Sequence, residues 1–408
     1  MNMSDSRQKW SCLTFIFGIT WLTYANALNM SITLFIGNNI FDTLISIAII
    51  GWCTLNYLLV NRNRIKPDVI AVFVIVLAIL YLDKLHPNHI SEASNEIIHL
   101  FLTQGYLGYV FARSVDNSDD IDKCLKYIAV IIYISCFYMP FFPAEIATLY
   151  GGASAEEYGM YMTFGYRMMP GVLIFFHLYY QNRKKTHLIL FIAGFIEIIL
   201  FANRGSTVGI IVFYFLYTLL FGEIKEKAKQ MIIIGVLFAF YLYFTSPSGL
   251  EVLIRFLDNF NIKSRNLTKM MSDTLQVTGR DHIYLAVEEK IKENWILGVG
   301  FSGAWFFGKP HNIIYEMFLD FGVIGAAILI VLFTIKSIRI LFDKTTGPIY
   351  LIFLVAGLIP SLFSGSYIIS WMFWVLMGMM VSLSKSKNKM GAKIDDSTNS
   401  CVCIQQSR

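Results

Sequence analysis

The sequence predicts an all-α, polytopic membrane protein with about twelve transmembrane helices, and two observations carry this prediction. First, 56% of the residues are hydrophobic and only 15% are charged, whereas soluble domains carry about 25% charged residues. Second, the apolar residues form continuous runs close to the length of about 20 residues that a helix needs to cross the hydrocarbon core. Only helices and closed barrels satisfy their backbone groups in that core, and continuous rather than alternating runs exclude a barrel.

The apolar runs define the order of the predicted spans. Residues 10–36 are too long for a signal peptide and lack a small-residue cleavage site, so we take this run as the first span. The predicted spans are 11–36, 40–60, 68–83, 97–112, 125–142, 166–180, 187–202, 206–221, 231–246, 312–335, 347–363 and 366–384. The chain therefore divides into about nine spans in residues 1–246, a large loop at 247–310, about three spans in 311–384, and a tail at 385–408 that we expect to be disordered.

Lysine and arginine placement predicts that both termini are cytoplasmic, because short cytoplasmic loops carry an excess of these residues. The loops assigned to the cytoplasm hold Arg62, Arg64, Lys66, Arg113, Lys123, Lys126, Arg183, Lys184, Lys185, Lys225, Lys227, Lys229, Lys336, Arg339 and Lys344. The opposite short loops hold only Lys84, Arg167 and Arg204. The net charge of +5 is modest and requires no nucleic-acid partner.

The loop at 247–310 lies outside by this topology and is long enough to fold. It contains an amphipathic stretch at 249–260 and a second helical stretch at 281–294, where Ile283, Val287 and Ile291 recur at helical spacing. Thr278 precedes the second stretch in the position of a helix cap. A second outside segment, residues 143–165, is expected to form a lip near the outer membrane face.

Asn203-Arg204-Gly205-Ser206 is the first of three candidate sites on the outside. Ser206 could cap the following span, and helix N-termini attract anions through free N–H groups and the dipole. Arg204 adds a bidentate cation that suits a pyrophosphate. The alternative is that Arg204 snorkels to lipid headgroups.

Arg280 and His311 mark the other two sites. Arg280 begins the second loop helix, where its charge opposes the dipole unless an anion such as a phosphate compensates; the alternative is a salt bridge to Asp281 or Glu288. His311 follows Pro310 at the start of the tenth span and could act as a base near neutral pH. The alternative is that His311 only caps or orients the loop.

Other polar residues receive less weight. We expect Glu197, Glu316 and Asp320 to support the site by pairing with Arg204, Arg167 or Lys309. Gly298, Gly300 and Gly303 match a dinucleotide-binding pattern but lack its βαβ context, so they predict a turn that returns the loop to the membrane. Asp120 and Asp122 are interpreted as solvated acids, and no cysteine or histidine cluster has structural-metal spacing.

Five motifs within about residues 195–335 resemble those of the O-antigen polymerase and ligase superfamily. They are Asn203-Arg204-Gly205-Ser206, Gly279-Arg280, NWILGVG at 294–300, Pro310-His311-Asn312 and FGVIG at 321–325, and their order and spacing are similar to the family pattern. Trp295 departs from that pattern, since relatives often have proline there. The amino-terminal half is similar only in its succession of spans.

The resemblance implies a membrane-embedded, GT-C-like glycosyltransferase of the bacterial inner membrane with its active site facing the periplasm. It implies that Arg204 and Arg280 bind the pyrophosphate of an undecaprenyl-linked oligosaccharide and that His311 activates the acceptor hydroxyl. The implied reaction is inverting and uses no metal and no cofactor. Substrate contacts are also expected from Asn203, Ser206, Asn312, Tyr315 and Glu316. Besides membrane lipids, a chain-length regulator protein is a candidate partner.

The acceptor stays open at this point. A polymerase would transfer the glycan to the non-reducing end of another lipid-linked repeat unit, whereas a ligase would transfer it to lipid A core. The alternative from another class is a lipid-linked sugar flippase. Transporters often show two related halves with broken helices, and no internal repeat is visible in this sequence.

Overall fold

The computed structural model describes residues 6–20, 39–60, 65–86, 89–141, 160–223, 227, 247–259, 280–306, 310–363 and 365–384. Within these ranges every regular element is helical, so the predicted all-α class is confirmed there. Ile313–Leu341 is the one described helix that is both long and apolar enough to cross a membrane. Shorter apolar helices occur at Ala48–Leu59, Gly205–Phe221, Gly347–Phe363 and Trp371–Ser384.

The described part of the amino-terminal half is helical. Its helices are α1 (residues 6–20), α2 (Asn39–Val60), α3 (Pro67–Leu82), α4 (Ser91–Leu100), α5 (Tyr106–Ala112), α6 (Ser118–Cys136), α7 (Met160–Asn182), α8 (Lys185–Phe201) and α9 (Arg204–Phe221). A π-helical turn at Phe101–Gly105 joins α4 to α5. Pro67 starts α3 at a position where its missing N–H costs no helical hydrogen bond.

The carboxy-terminal half continues with α10 (Pro247–Asp258), α11 (Arg280–Glu293), α12 (Phe301–Phe306), α13 (Ile313–Leu341), α14 (Gly347–Phe363) and α15 (residues 371–384). Both helices predicted in the 247–310 loop are present as α10 and α11. The predicted span at 231–246, the cap at Thr278 and residues 142–159 of the predicted lip lie outside the described residues.

The main hydrophobic core lies between α6, α7, α9, α14 and α15. Helix α7 packs against α6, α8, α9 and α14, and α9 packs lengthwise on α14. Fully buried side chains such as Val172, Phe213, Tyr350 and Leu376 fill this core. A second cluster joins α4, α12 and the start of α13 around Phe101, and it holds the short helix α12 against α4.

Helix α13 is interrupted at Gly322, whose φ of 66° and ψ of −178° are not helical. The 294–300 segment enters at this interruption: the Val323 N–H donates to the Trp295 carbonyl at 2.7 Å, and the Val299 N–H donates to the Leu319 carbonyl at 2.6 Å. A Cβ atom at Gly322 would collide with the Ile296 carbonyl. The NWILGVG and FGVIG motifs are therefore bonded to each other.

Candidate functional site at the His311 end of the bundle

The start of α9 is capped by Asn203, and the predicted cap at Ser206 is wrong. The Asn203 Oδ1 atom accepts from the Ser206 N–H at 3.0 Å, while the Ser206 hydroxyl donates to the Asn203 carbonyl at 2.8 Å. Asparagine competes well for this position because its side-chain oxygen reaches the free N–H groups of the first turn. The backbone of Arg204 is thereby held at the first position of α9; its side chain is outside what the structure describes.

Helices α11 and α13 pack side by side in the same direction. The Tyr284 and Tyr315 rings stack with centroids 5.2 Å apart, and the Tyr315 hydroxyl donates to Glu288 Oε1 at 2.9 Å. Farther along both helices, the backbone of Trp295 meets that of Val323. Parallel packing brings the two helix starts to the same end of the bundle.

Arg280 and His311 occupy these two starts. Each lies four residues, or about one helical turn, before its member of the stacked tyrosine pair. The backbone positions of Arg280 and His311 therefore lie toward the same end of the α11–α13 pair; the Arg280 side chain is outside the described atoms. His311 is partly exposed and has a φ of 52°, which is uncommon for a non-glycine residue and fixes the direction in which the loop enters α13.

Asn312 and Tyr315 have structural contacts of their own. The Asn312 side chain caps α13, since its Oδ1 atom accepts from the Ile314 N–H at 2.9 Å. Both the ring and the hydroxyl of Tyr315 contact α11. Their predicted substrate contacts are untested, but both residues already position the segment that carries His311.

Glu316 and Asp320 lie one turn apart on the buried face of α13 and bond to the segment that follows α14. Glu316 accepts from the Ser366 hydroxyl and, at 3.1 Å, from the Tyr367 N–H. Asp320 Oδ2 accepts from the Tyr367 hydroxyl at 2.5 Å. These partners are hydroxyl and backbone donors; the expected pairing with Arg204, Arg167 or Lys309 stays a prediction. Glu197, also buried, has no hydrogen-bond partner for either carboxylate oxygen among the described atoms.

The start of α9 contacts the end of α14, and the segment that follows α14 bonds to α13 at the His311 end. Gly205 lies against the last residue of α14, Phe363, to which a Cβ atom on Gly205 would approach within 3.5 Å. Three residues later, Ser366 donates to Glu316. The backbone of Arg204 therefore lies at the His311 end as well, one helix away from α13.

An open cleft of about 810 Å³ lies beside this end, between the end of α3, the 293–301 segment and the interruption of α13. Its walls include Asp83, His86, Trp295, Asp320 and Phe321, and His311 is not among them. Asp320 Oδ1 is buried and has no hydrogen-bond partner within the part of the chain that the structure describes. Sequence reasoning missed this cleft because its walls come from three distant parts of the chain.

Asp83 anchors the loop after α3 to α12. Its carboxylate accepts from the Ser302 N–H at 3.3 Å and approaches His89 Nδ1 at 3.3 Å. The Ser302 hydroxyl in turn accepts from the Ile90 N–H at 3.1 Å. Ser302 and Asp83 both contact the same imidazole nitrogen, His89 Nδ1. Because the two contacts share one nitrogen, they hold the loop in place and do not form a proton relay through the ring.

The opposite end of the bundle, which we call the Arg113 end, holds a buried ion network that the sequence did not reveal. Arg113 is fully buried; its Nε donates to Asp68 at 2.6 Å, its guanidinium also bonds to Asp116, and it donates to the Ser382 hydroxyl at 2.5 Å. Lys66 bonds to Asp116 at 2.7 Å. Burial of Asp116 raises the pKa of its carboxyl, but the charges of Lys66 and Arg113 outweigh burial and lower this pKa below its usual value.

The interpretation of Asp120 and Asp122 as solvated acids is wrong. Asp120 is 5% exposed and accepts from Gln8 at 2.6 Å. Asp122 accepts from the buried His177 at 2.9 Å, whose second ring nitrogen bonds to the Tyr217 hydroxyl at 2.8 Å. One signal was available: both acids stand in the first turns of an amphipathic helix, where they face neighbouring helices.

Comparison with known proteins adds no relative. No protein family, no curated protein sequence and no solved structure matches this chain significantly. The functional argument therefore rests on the residues and their arrangement.

Proposed function

We propose that the protein is a membrane-embedded glycosyltransferase that polymerises lipid-linked repeat units of a surface polysaccharide. Its donor would be an oligosaccharide on undecaprenyl pyrophosphate, and its acceptor the non-reducing sugar of a second lipid-linked unit. The observation that supports this proposal is the parallel packing of α11 on α13, in which Arg280 and His311 each precede a member of the Tyr284–Tyr315 stack by four residues.

The chemistry follows from this placement. The acceptor hydroxyl oxygen attacks the anomeric carbon of the donor sugar, the bond from that carbon to the pyrophosphate oxygen breaks, and the hydroxyl proton passes to His311. Arg280 and Arg204 would offset the negative charge that develops on the departing pyrophosphate. Attack opposite the leaving group inverts the anomeric configuration.

The membrane topology belongs to the same proposal, and contacts at both ends support it. Lys66, Arg113 and Ser382 meet at the Arg113 end, and all three are assigned to the cytoplasmic side by the charge pattern. Asp83 and Ser302 meet at the other end and are both assigned to the outside. Multiple spans with an outward-facing site follow if these assignments hold.

Replacing His311 tests the proposal most directly. We expect His311→Ala to reduce chain growth by about 10²–10⁴-fold, since a general base contributes this much. The measurement is product length after purified protein is incubated with a labelled lipid-linked repeat unit. His99→Ala is the matched control, because His99 is an exposed histidine of α4; it should retain activity. Polymer of normal length from His311→Ala would contradict the mechanism.

Arg280→Lys tests the phosphate contact. A lysine keeps the charge but loses the fork geometry of the guanidinium, so donor turnover should fall by about tenfold or more, as for loss of a charge-assisted bond. Unchanged donor turnover would remove Arg280 from the pyrophosphate site.

The alternative enzyme is a ligase, whose acceptor is lipid A core. Deletion of the gene separates the two: loss of a polymerase leaves single repeat units on lipid A core, whereas loss of a ligase leaves polymer on its carrier lipid.

The interruption of α13 favours a second candidate, a lipid-linked sugar flippase. Transporters build substrate sites at discontinuous helices, and Asp320 lies two residues before the interruption at Gly322. The same purified assay decides, because a flippase moves the labelled lipid across a vesicle membrane without forming a new glycosidic bond.

A further inference from the structure

The cleft beside α13 has a chemical character different from that of the Arg280 and His311 positions. Its described wall carries Asp83, Glu293 and Asp320 and contains no lysine or arginine. Glu293 is paired with Lys290 at 2.6 Å, and the wall offers a phosphate no arginine or lysine with which to form a charge-assisted bond. The cleft is therefore unsuited to the pyrophosphate of the donor and better suited to a neutral occupant.

Asp320 supplies an unused acceptor in this wall. The residue is 5% exposed, and its Oδ1 atom has no hydrogen-bond partner among the described residues. Its Oδ2 atom is fixed by the Tyr367 hydroxyl at 2.5 Å, so the carboxylate cannot turn without losing that bond. Buried polar atoms are nearly always paired in native proteins, and an exception needs an explanation such as an absent ligand.

The interruption of α13 holds Asp320 in place. Its neighbour Leu319 accepts at 2.6 Å from the Val299 N–H, and the Trp295 carbonyl accepts at 2.7 Å from the Val323 N–H. The acid thus projects from a segment fixed on both sides by the 294–300 loop. A binding group needs such support from its surroundings to keep its geometry.

Aromatic side chains line the same cleft. Trp295, Phe301 and Phe321 contribute to its walls, and Trp295 is 55% exposed in the absence of a ligand. Phe301 and Phe321 meet edge to face, with centroids 5.1 Å apart, and form a fixed apolar surface. Sugars present apolar C–H faces and hydroxyl edges, and a site that joins aromatic rings to a fixed polar acceptor matches both.

We propose that this cleft binds a neutral sugar residue, with Asp320 Oδ1 accepting from a sugar hydroxyl and Trp295 covering a face of the ring. The assignment rests on the proposed glycosyltransfer, whose acceptor sugar the cleft would hold. The donor pyrophosphate would bind at the arginines, and the acceptor sugar would lie on the acidic side of α13. Two subsites of opposite charge would keep the two substrates in their own places.

The test uses full-length protein in detergent and saturation-transfer NMR with methyl glycosides of glucose, galactose, mannose and N-acetylglucosamine. At least one glycoside should bind, and Asp320→Asn should weaken its binding about tenfold. In that variant the amide oxygen must still accept from Tyr367, so the NH₂ group faces the cleft and the acceptor is lost. Trp295→Ala should weaken binding by a similar factor.

Leu285→Ala is the control, because Leu285 is 65% exposed on α11 and is not part of the cleft wall; its binding should equal that of the wild type. The exposed position of Trp295 keeps the test valid if Asp320→Asn fails to fold. Absence of glycoside binding to the wild type overturns the proposal, and so does binding that neither variant weakens. Stabilisation by sodium over choline that Asp320→Asn abolishes, without glycoside binding, would identify a cation site instead.

His311→Ala separates this proposal from the proposed function. That variant should lose transfer and keep glycoside binding. If it keeps transfer while glycoside binding depends on Asp320, the proposed mechanism fails and the sugar cleft stands. If it loses transfer and the wild type binds no glycoside, the cleft assignment fails alone.

Discussion

The two ends of the helix bundle differ in how their buried charged side chains are hydrogen-bonded. At the Arg113 end, the guanidinium is fully buried and bonds to Asp68, Asp116 and Ser382, so that cation and anions neutralise each other. At the His311 end, Asp320 is 5% exposed, and one of its carboxylate oxygens has no hydrogen-bond partner among the described atoms. A closed network ties helices together, whereas an open one marks a place where a ligand completes the bonding.

The backbone dihedral angles also differ between the two ends. The Arg113 end joins α3, α5 and α15 through side chains, at helix ends with ordinary dihedral angles. The His311 end contains all the described residues with positive φ except Arg183: Gly298, Gly300, His311 and Gly322. A concentration of unusual backbone conformations at one end is typical of functional sites, where the surrounding fold compensates for strain.

The largest effect should come from opening the closed network. Arg113→Met removes the buried cation that Asp68 and Asp116 share and leaves Asp116 with Lys66, which costs about 3–5 kcal/mol in comparable networks. The measurement is the free energy of unfolding in mixed detergent micelles. The matched control is Lys123→Met: the Lys123 side chain is 56% exposed and lies 3.6 Å from Asp120, and an ion pair with one exposed partner contributes about 0–1 kcal/mol. Equal stability of the two variants would show that the network is not structural.

A smaller effect should come from Gly322→Ala at the other end. The φ of 66° with extended ψ is a conformation that only glycine adopts readily, and the added Cβ would collide with the Ile296 carbonyl. We expect a loss of roughly 2 kcal/mol in the free energy of unfolding. Gly51→Ala in α2 is the control, since nothing lies within 4 Å of its Cβ position. It should be neutral or stabilising by about 0.5–1 kcal/mol.

These two ends also show what a sequence can predict. Apolar runs and helical spacing located most of the described helices, including α10 and α11 inside the large loop, but not the short α12. The same pattern missed the break at Gly322, because residues 312–335 form one apolar run and a glycine within such a run gives no local sign of its dihedral angles. The break depends on hydrogen bonds to Trp295 and Val299, which only the folded chain provides.

Some features of the candidate site could be predicted from the sequence, and others depend on the folded chain. His311 and Arg280 were selected by residue type and position, and the packing of α11 on α13 places their backbones toward the same end of this helix pair. Asp320 was expected to support the site. The sequence could not show that one of its carboxylate oxygens lacks a hydrogen-bond partner among the described atoms. The hydrogen bonds of Asp320 depend on the position of Tyr367, which follows α14. Asp122 was misjudged for the same reason: its partner His177 lies on another helix.

The smallest expected effect is a pH dependence at the Arg113 end. Burial raises the pKa of Asp116, but the charges and hydrogen bonds of Lys66 and Arg113 outweigh it, so this pKa is lower in the folded protein than in the unfolded chain. The ionised carboxylate therefore stabilises the fold above the unfolded pKa of about 3.9, and its contribution is lost as the pH falls through the lower folded value.

Asp116→Asn should remove this contribution. Because the Asp116 side chain is 28% exposed, we expect the variant to lose about 1 kcal/mol or less at pH 6 relative to the wild type. The difference in thermal midpoint between the two proteins should shrink as the pH falls below about 4, since both then carry a neutral side chain at this position. Measuring this difference from pH 6 to pH 3 cancels the titration of the other carboxylates. A difference that stays constant over this range would mean that the network at the Arg113 end does not hold Asp116 in its charged form.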